Sequence, residues 1–152
     1  MMEHTENSAQ GFQFLEKQGD LFSCEETSSL AHCISADVKM GKGIAVIFKR
    51  KFQGEEEIKR QGQTPGGLAV LKRGKRFVYY LVTKEKYWNK PTYDTLRSSL
   101  INMRMHCTEN KVKELCMPKI GCGLDGLQWP RVKEIIKEVF DDSDMKLTVY
   151  TL

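Results

Sequence analysis

The run Pro118-Lys119-Ile120-Gly121-Cys122-Gly123-Leu124-Asp125 constrains this chain more than any other feature. It follows an apolar, strand-like segment from Val112 to Met117 and precedes an amphipathic helix. A strand, a glycine loop and a helix in that order put pliable backbone where ligands bind in open α/β sheets. Glycine lacks a Cβ, so its amide can approach an anion closely. Asp125 ends the loop. A carboxylate is unfavourable beside a bare phosphate, so it is expected to serve another part of a ligand. A tight turn closed by a capping aspartate reads the same way, and a lone glycine motif does not separate the two.

A second unit of the same kind lies upstream. Leu30 to Ser35 reads as a short buried strand, Met40-Gly41-Lys42-Gly43-Ile44-Ala45 as its loop, and Ile44 to Phe52 as a helix. Two such loops can clamp a diphosphate between them. The dinucleotide fingerprint and the P-loop Gly-Lys-Ser/Thr pattern are both missing, so neither an NAD-dehydrogenase signature nor a Walker-type site is present.

The remaining segments alternate strand and helix. Phe12 to Lys17 is a first strand closed by Gly19-Asp20, and Glu55 to Gln61 is a short helix stopped by Pro65-Gly66-Gly67. Leu68 to Lys72 and Arg76 to Thr83 form a hairpin through Gly74-Lys75. Residues 77–82 are apolar on both faces, as in a central strand. After Pro91, the stripe Tyr93, Leu96, Leu100, Met103 and Cys107 predicts a longer helix. The face Val132, Ile135, Ile136, Val139 and Phe140 predicts another, with Pro130 in its first turn. Met145 to Leu152 is a closing strand. About six strands and four helices in this mixed order predict a three-layer α/β/α sandwich with a mixed sheet. A chain of 152 residues supports one sizeable core and not two. Residues 1–10 are polar, carry no signal-peptide core and are expected as a disordered tail, leaving residues 11–152 as one domain. No apolar run approaches the roughly 20 residues that span a bilayer.

Five cysteines, an odd count without C-x-x-C and partly in strands, point to a reducing, intracellular setting with buried thiols. His4, His32 and His106 are scattered, so no metal site is expected. Cys122 lies in the glycine loop, but no histidine is near it in sequence, and a buried or backbone role fits it better than a nucleophile. The net charge of +4 suits a phosphate-bearing ligand and falls short of a dedicated nucleic-acid binder. Tyr87-Trp88 beside Lys86 could stack on bases, and the basic hairpin keeps a nucleic-acid-binding module open as a reading.

Taken together, Gly19-Asp20-Leu21, Met40 to Ala45 and Ile120 to Asp125 resemble the macrodomain family over residues 12–152. The pattern is closest to the branch of terminal ADP-ribose protein glycohydrolases. That branch is marked by a lysine after the central strand, here Tyr80-Leu81-Val82-Thr83-Lys84, by the aspartate of Gly-Cys-Gly-Leu-Asp125, and by a final strand like Leu147 to Leu152. The resemblance implies ADP-ribose as ligand and ADP-ribosylated proteins, including poly-ADP-ribosylated ones, as substrates. It implies no metal or diffusible cofactor, a monomer, a nuclear location and a role in the DNA damage response. Asp20 would accept from the adenine amine, with the Leu21 backbone beside it. Gly41, Gly43 and Ile44, with Lys119, Ile120, Gly121, Cys122, Gly123 and Leu124, would hold the diphosphate and distal ribose. Ser35 would bond a ribose hydroxyl or the backbone, and Thr83 and Leu152 complete the implied binding set.

Many macrodomains carry asparagines in the strand before the first glycine loop. Here that segment is Cys33-Ile34-Ser35-Ala36-Asp37, so hydrolysis relying on those asparagines is not expected. The branch instead implies Lys84 as nucleophile at the anomeric carbon, expelling a carboxylate. A ring-opened Schiff base results, and water hydrolyses it. Asp125 would shuttle the protons. Attack needs a neutral amine, whereas an ionised neighbouring carboxylate favours the charged one. A non-catalytic ADP-ribose reader would use the same pocket.

Overall fold

The computed structural model describes residues 3–7 and 11–152, and for residues 3–7 the backbone alone. Its strands are β1 (Glu3–Asn7), β2 (Gln13–Gln18), β3 (Ser29–Ser35), β4 (Gly67–Arg73), β5 (Arg76–Lys84), β6 (Glu114–Met117) and β7 (Lys146–Thr151). Its α-helices are α1 (Ile44–Phe52), α2 (Glu55–Arg60), α3 (Tyr93–Glu109) and α4 (Trp129–Phe140). The strands form one sheet in the order β1-β2-β7-β6-β3-β5-β4. From β2 to β5 every neighbouring pair is parallel, and β1 and β4 add antiparallel edges. The six expected strands are β2 to β7. Where a tail was expected, Glu3–Asn7 pairs with β2, so the sheet has seven strands among the described residues. The other five positions of that stretch lie outside the described residues.

Alternation along the central strands builds a core on each face. Tyr79 and Leu81 of β5 point to one side, with Leu96, Leu100 and Met103 of α3 and Val132, Ile135 and Ile136 of α4. Val78, Tyr80 and Val82 point to the other, with Phe48 of α1 and Ile58 of α2. The expected helix, sheet, helix layering follows directly. Local chemistry fixes the helix starts. Thr92 caps α3, accepting from the Thr95 amide at 3.1 Å, while the Thr95 hydroxyl accepts from the Thr92 amide at 3.2 Å. Pro130 occupies the first turn of α4. Among the described residues no helix is long and apolar enough to cross a membrane.

Candidate active site

Parallel strands β6, β3 and β5 run side by side, so their carboxyl ends open at one edge of the sheet. Both glycine loops leave from that edge. Between them lies a cavity of about 710 Å³. Ser35 at the end of β3 lines it, with Gly41, Gly43 and Ile44 of the first loop and Lys119, Ile120, Gly121, Cys122, Leu124 and Asp125 of the second. Lys84, the last residue of β5, completes the wall. A shallower concavity of about 610 Å³ runs along α1 and the start of α2, lined by Val46, Gln53 and Glu55 among others. The ends of β3 and β5 and the Lys84–Asp125 pair line the first cavity and not this one.

The Lys84 ammonium donates to the Asp125 carboxylate, Nζ to Oδ1, at 2.7 Å. The two side chains are only 14% and 19% exposed, so this pair is shielded far more than a surface salt bridge. Asp125 ends a single 3₁₀ turn, Gly123–Asp125. Lys90 Nζ donates to the Leu124 carbonyl at 2.6 Å and ties that turn to the segment after β5. Gly121 sets the path of the loop. Its φ of +72° favours glycine, and a Cβ there would meet Leu127 Cδ1 at 2.8 Å.

The first loop is held differently. Asp37 Oδ1 accepts from the Ser35 hydroxyl and from the Lys39 amide at 3.3 Å, and Oδ2 accepts from the Tyr87 amide at 3.1 Å. Burial pushes the Asp37 carboxyl up, but these hydrogen bonds and the nearby Lys86 charge outweigh it and hold it below its ordinary value. Ser35 therefore spends its proton on Asp37, neither on a backbone carbonyl nor on open cavity. Val38 and Met40 are buried with φ of 56° and 45°. Two side chains in left-handed backbone within three residues store strain beside the cavity. Helix α1 then starts without a side-chain cap and without an acidic residue in its first turn. Gly43, Ile44 and Ala45 line the cavity at that start, so amide donors and the positive end of the helix dipole meet it.

Other expected residues stand elsewhere. Asp20 caps the short turn Leu21–Ser23 by accepting from the Phe22 amide at 3.0 Å, and Leu21 is buried. Thr83 is buried, and its carbonyl accepts from the Thr95 hydroxyl at 2.7 Å. Leu152 lies past the end of β7, 95% exposed. Asp20, Leu21, Thr83, Gly123 and Leu152 are not among the residues that line the cavity. Cys122 is raised by burial and by the Asp125 charge, against a lowering by Lys119, and so stays a thiol. Cys33, also on the wall, is pushed up to about 12 by burial, with Asp125 adding to it. Sequence reasoning missed Asp37 as the brace of the first loop. A short aspartate two residues after a strand end was the available signal. Lys39, Tyr87, Trp88 and Lys90 also line the cavity without having been assigned to it.

The macro domain family model matches residues 31–136. The human protein named ADP-ribose glycohydrolase OARD1 is 53% identical over 143 residues, covering 94% of each chain. The Thermus aquaticus DNA ADP-ribosyl glycohydrolase is 30% identical over 123 residues, 74% of this chain and 34% of that one. Among solved structures, the macrodomain of Thermus aquaticus DarG superposes with a TM-score of 0.83 at 26% identity, covering 93% of this chain and all of the other. Its fold, its two glycine loops at the strand ends and these similarities place the chain in the macro domain family.

Proposed function

We propose that this chain is a hydrolase that removes terminal ADP-ribose from glutamate and aspartate side chains of modified proteins, through a covalent adduct on Lys84. The observation that carries the reading is the shielded Lys84–Asp125 pair at 2.7 Å, on the wall of a cavity bracketed by two glycine loops. The names of the similar proteins support the same class of activity. The amides at the start of α1 and in the Gly121–Leu124 loop suit the diphosphate and distal ribose. Asp20 and Leu21 are assigned to adenine.

Attack requires the Lys84 nitrogen to give up the proton that it donates to Asp125 in the pair. Asp125 is in direct contact and takes the proton as the distal ribose arrives. The Lys84 nitrogen then bonds to the anomeric carbon, and the bond from that carbon to the glutamyl oxygen breaks. The departing carboxylate is stable as an anion and needs no acid. The ring oxygen leaves next, taking the proton held by Asp125, which recovers one from the Lys84 nitrogen, and a protonated imine to Lys84 remains. Water adds to that imine with Asp125 as base, and the ring-closed ADP-ribose departs. O-acetyl-ADP-ribose also carries an ester and is a second substrate in this reading. Action on poly-ADP-ribosylated chains, a monomeric state, a nuclear location and a part in the DNA damage response belong to this reading through family resemblance.

The test is release of ADP-ribose from a glutamate-linked substrate, with borohydride added during turnover. Reduction of the imine should leave one ADP-ribosyl group on Lys84, located by peptide sequencing. Lys84→Ala should lose almost all turnover while ADP-ribose binding, followed by calorimetry, falls far less. Normal turnover in that variant would sink the mechanism. Saturable ADP-ribose binding without any release would leave the chain a reader.

A further inference from the structure

Outside the cavity, two thiols and a guanidinium meet where the segment after the Leu21–Ser23 turn crosses the start of the sheet. Cys24 ends that turn and is half-buried, whereas Cys116 in β6 is 5% exposed. Each thiol is the largest influence on the other: the Cys116 side chain lowers Cys24, and the Cys24 side chain raises Cys116. Arg76, the first residue of β5, donates from Nη2 to Cys24 Sγ at 3.4 Å. The same guanidinium donates to the Ser28 carbonyl and the Glu25 carbonyl, each at 2.8 Å. It is therefore fixed against Cys24 by two further contacts.

We propose that Cys24 is an oxidant-reactive thiol and that Cys116 resolves it, so that peroxide converts the pair into a reversible Cys24–Cys116 disulfide. A thiolate needs a fixed cation and an access path, and a redox site needs a second sulfur within reach. All three are present. The Cys116 side chain and the Arg76 charge lower Cys24 against the opposing effect of burial, and the proton of the pair stays on Cys116. Glu114 is the further charge acting on this pair, raising Cys116. The chemistry balances. The Cys24 thiolate attacks one peroxide oxygen, the O–O bond breaks, and hydroxide leaves. Cys116 sulfur then attacks the Cys24 sulfenic sulfur, forming S–S and breaking S–O, and the two protons of the thiols end in water. Two electrons pass from the thiols to the peroxide. The other close thiols, Cys33 and Cys122, lack a fixed cation of this kind and both are raised.

The experiment treats the full chain with equimolar hydrogen peroxide, alkylates the remaining thiols in denaturant and maps the peptides. The expected product links Cys24 to Cys116 and disappears with dithiothreitol. Cys116→Ser should stop at a sulfenic acid on Cys24, captured by dimedone. Without peroxide, Cys24 should alkylate with iodoacetamide fastest of the five thiols. Arg76→Gln should slow that reaction at neutral pH, because the guanidinium is one of the two side chains that lower Cys24. A Cys33–Cys122 link in place of the expected one, or alkylation of Cys24 with an ordinary thiol pH profile in a folded protein, would overturn the proposal. These readouts are chemical and do not depend on the glycohydrolase reading.

Discussion

His32 should make this fold acid-sensitive. It sits in β3 between Ala31 and Cys33, fully buried, with its ring stacked on Phe48 at 3.8 Å and edge-on to Tyr80 at 5.0 Å. Neither ring nitrogen has a hydrogen-bond partner among the described residues. Burial drives its pKa from 6.5 down to about 3. Between those values the unfolded chain binds a proton that the folded chain refuses. Stability contributed by the neutral ring is thus present above pH 6.5 and lost as pH falls toward 3. Each pH unit within the window is worth about 1.4 kcal/mol, so about 2 kcal/mol is gone at pH ~5 and about 5 kcal/mol near pH ~3. The assay is urea unfolding of the natural chain and of His32→Leu at pH ~7.5 and pH ~5, near-neutral and inside the window. Leucine is close in volume and buries no nitrogen, so the variant should be no less stable at the higher pH. At the lower pH the natural chain should lose about 2 kcal/mol more than the variant, because carboxylate titrations are common to both. Parallel losses would refute the reasoning.

Gly121→Ala should cost about 2 kcal/mol, from left-handed strain and the Leu127 contact, read by urea unfolding, and should weaken ADP-ribose binding in calorimetry. Gly123→Val faces open space at φ +70°, so it should weaken binding with a smaller stability loss than Gly121→Ala. Serine-linked ADP-ribose should be largely spared beside glutamate-linked substrate, since an alkoxide needs strong acid assistance to leave. Equal release rates would contradict the carboxylate-leaving argument. Asp125→Ala should accumulate the Lys84 adduct on intact-mass analysis, because release depends on the carboxylate at two steps and attack at one.

Much of the fold was legible because its signals are local. The period of α3 and α4, Pro130 and the two-sided apolar run of β5 each fix an element without reference to the rest. Layering followed, since β5 must bury both faces. The edge strand β1 was not legible. Glu3–Asn7 is polar, and an edge strand is held by backbone pairing to β2, which leaves no hydrophobic period to read. The site was legible where backbone chemistry sets it, at Gly41, Gly43 and Gly121. It was opaque where placement depends on strand neighbours. Asp37 braces Tyr87 from fifty positions away, and this contact exists only because β3 and β5 end side by side.

The same adjacency explains how Lys84 and Asp125 come into hydrogen-bonding contact. They are 41 positions apart, with α3 and β6 between them. In the sheet β3 alone separates β5 from β6, and all three strands point the same way. Lys84 therefore leaves the sheet one strand to the side of β3, and the loop after β6 leaves it on the other. Their side chains meet on the wall of the cavity that Ser35, at the end of β3, also lines. The two groups are so enclosed that they hold each other at rest. In the mechanism proposed above, a ligand that competes for Asp125 with its own hydroxyls frees the nucleophile. The distal ribose carries those hydroxyls beside the carbon to be attacked, so in that mechanism the group that unlocks Lys84 is part of the substrate.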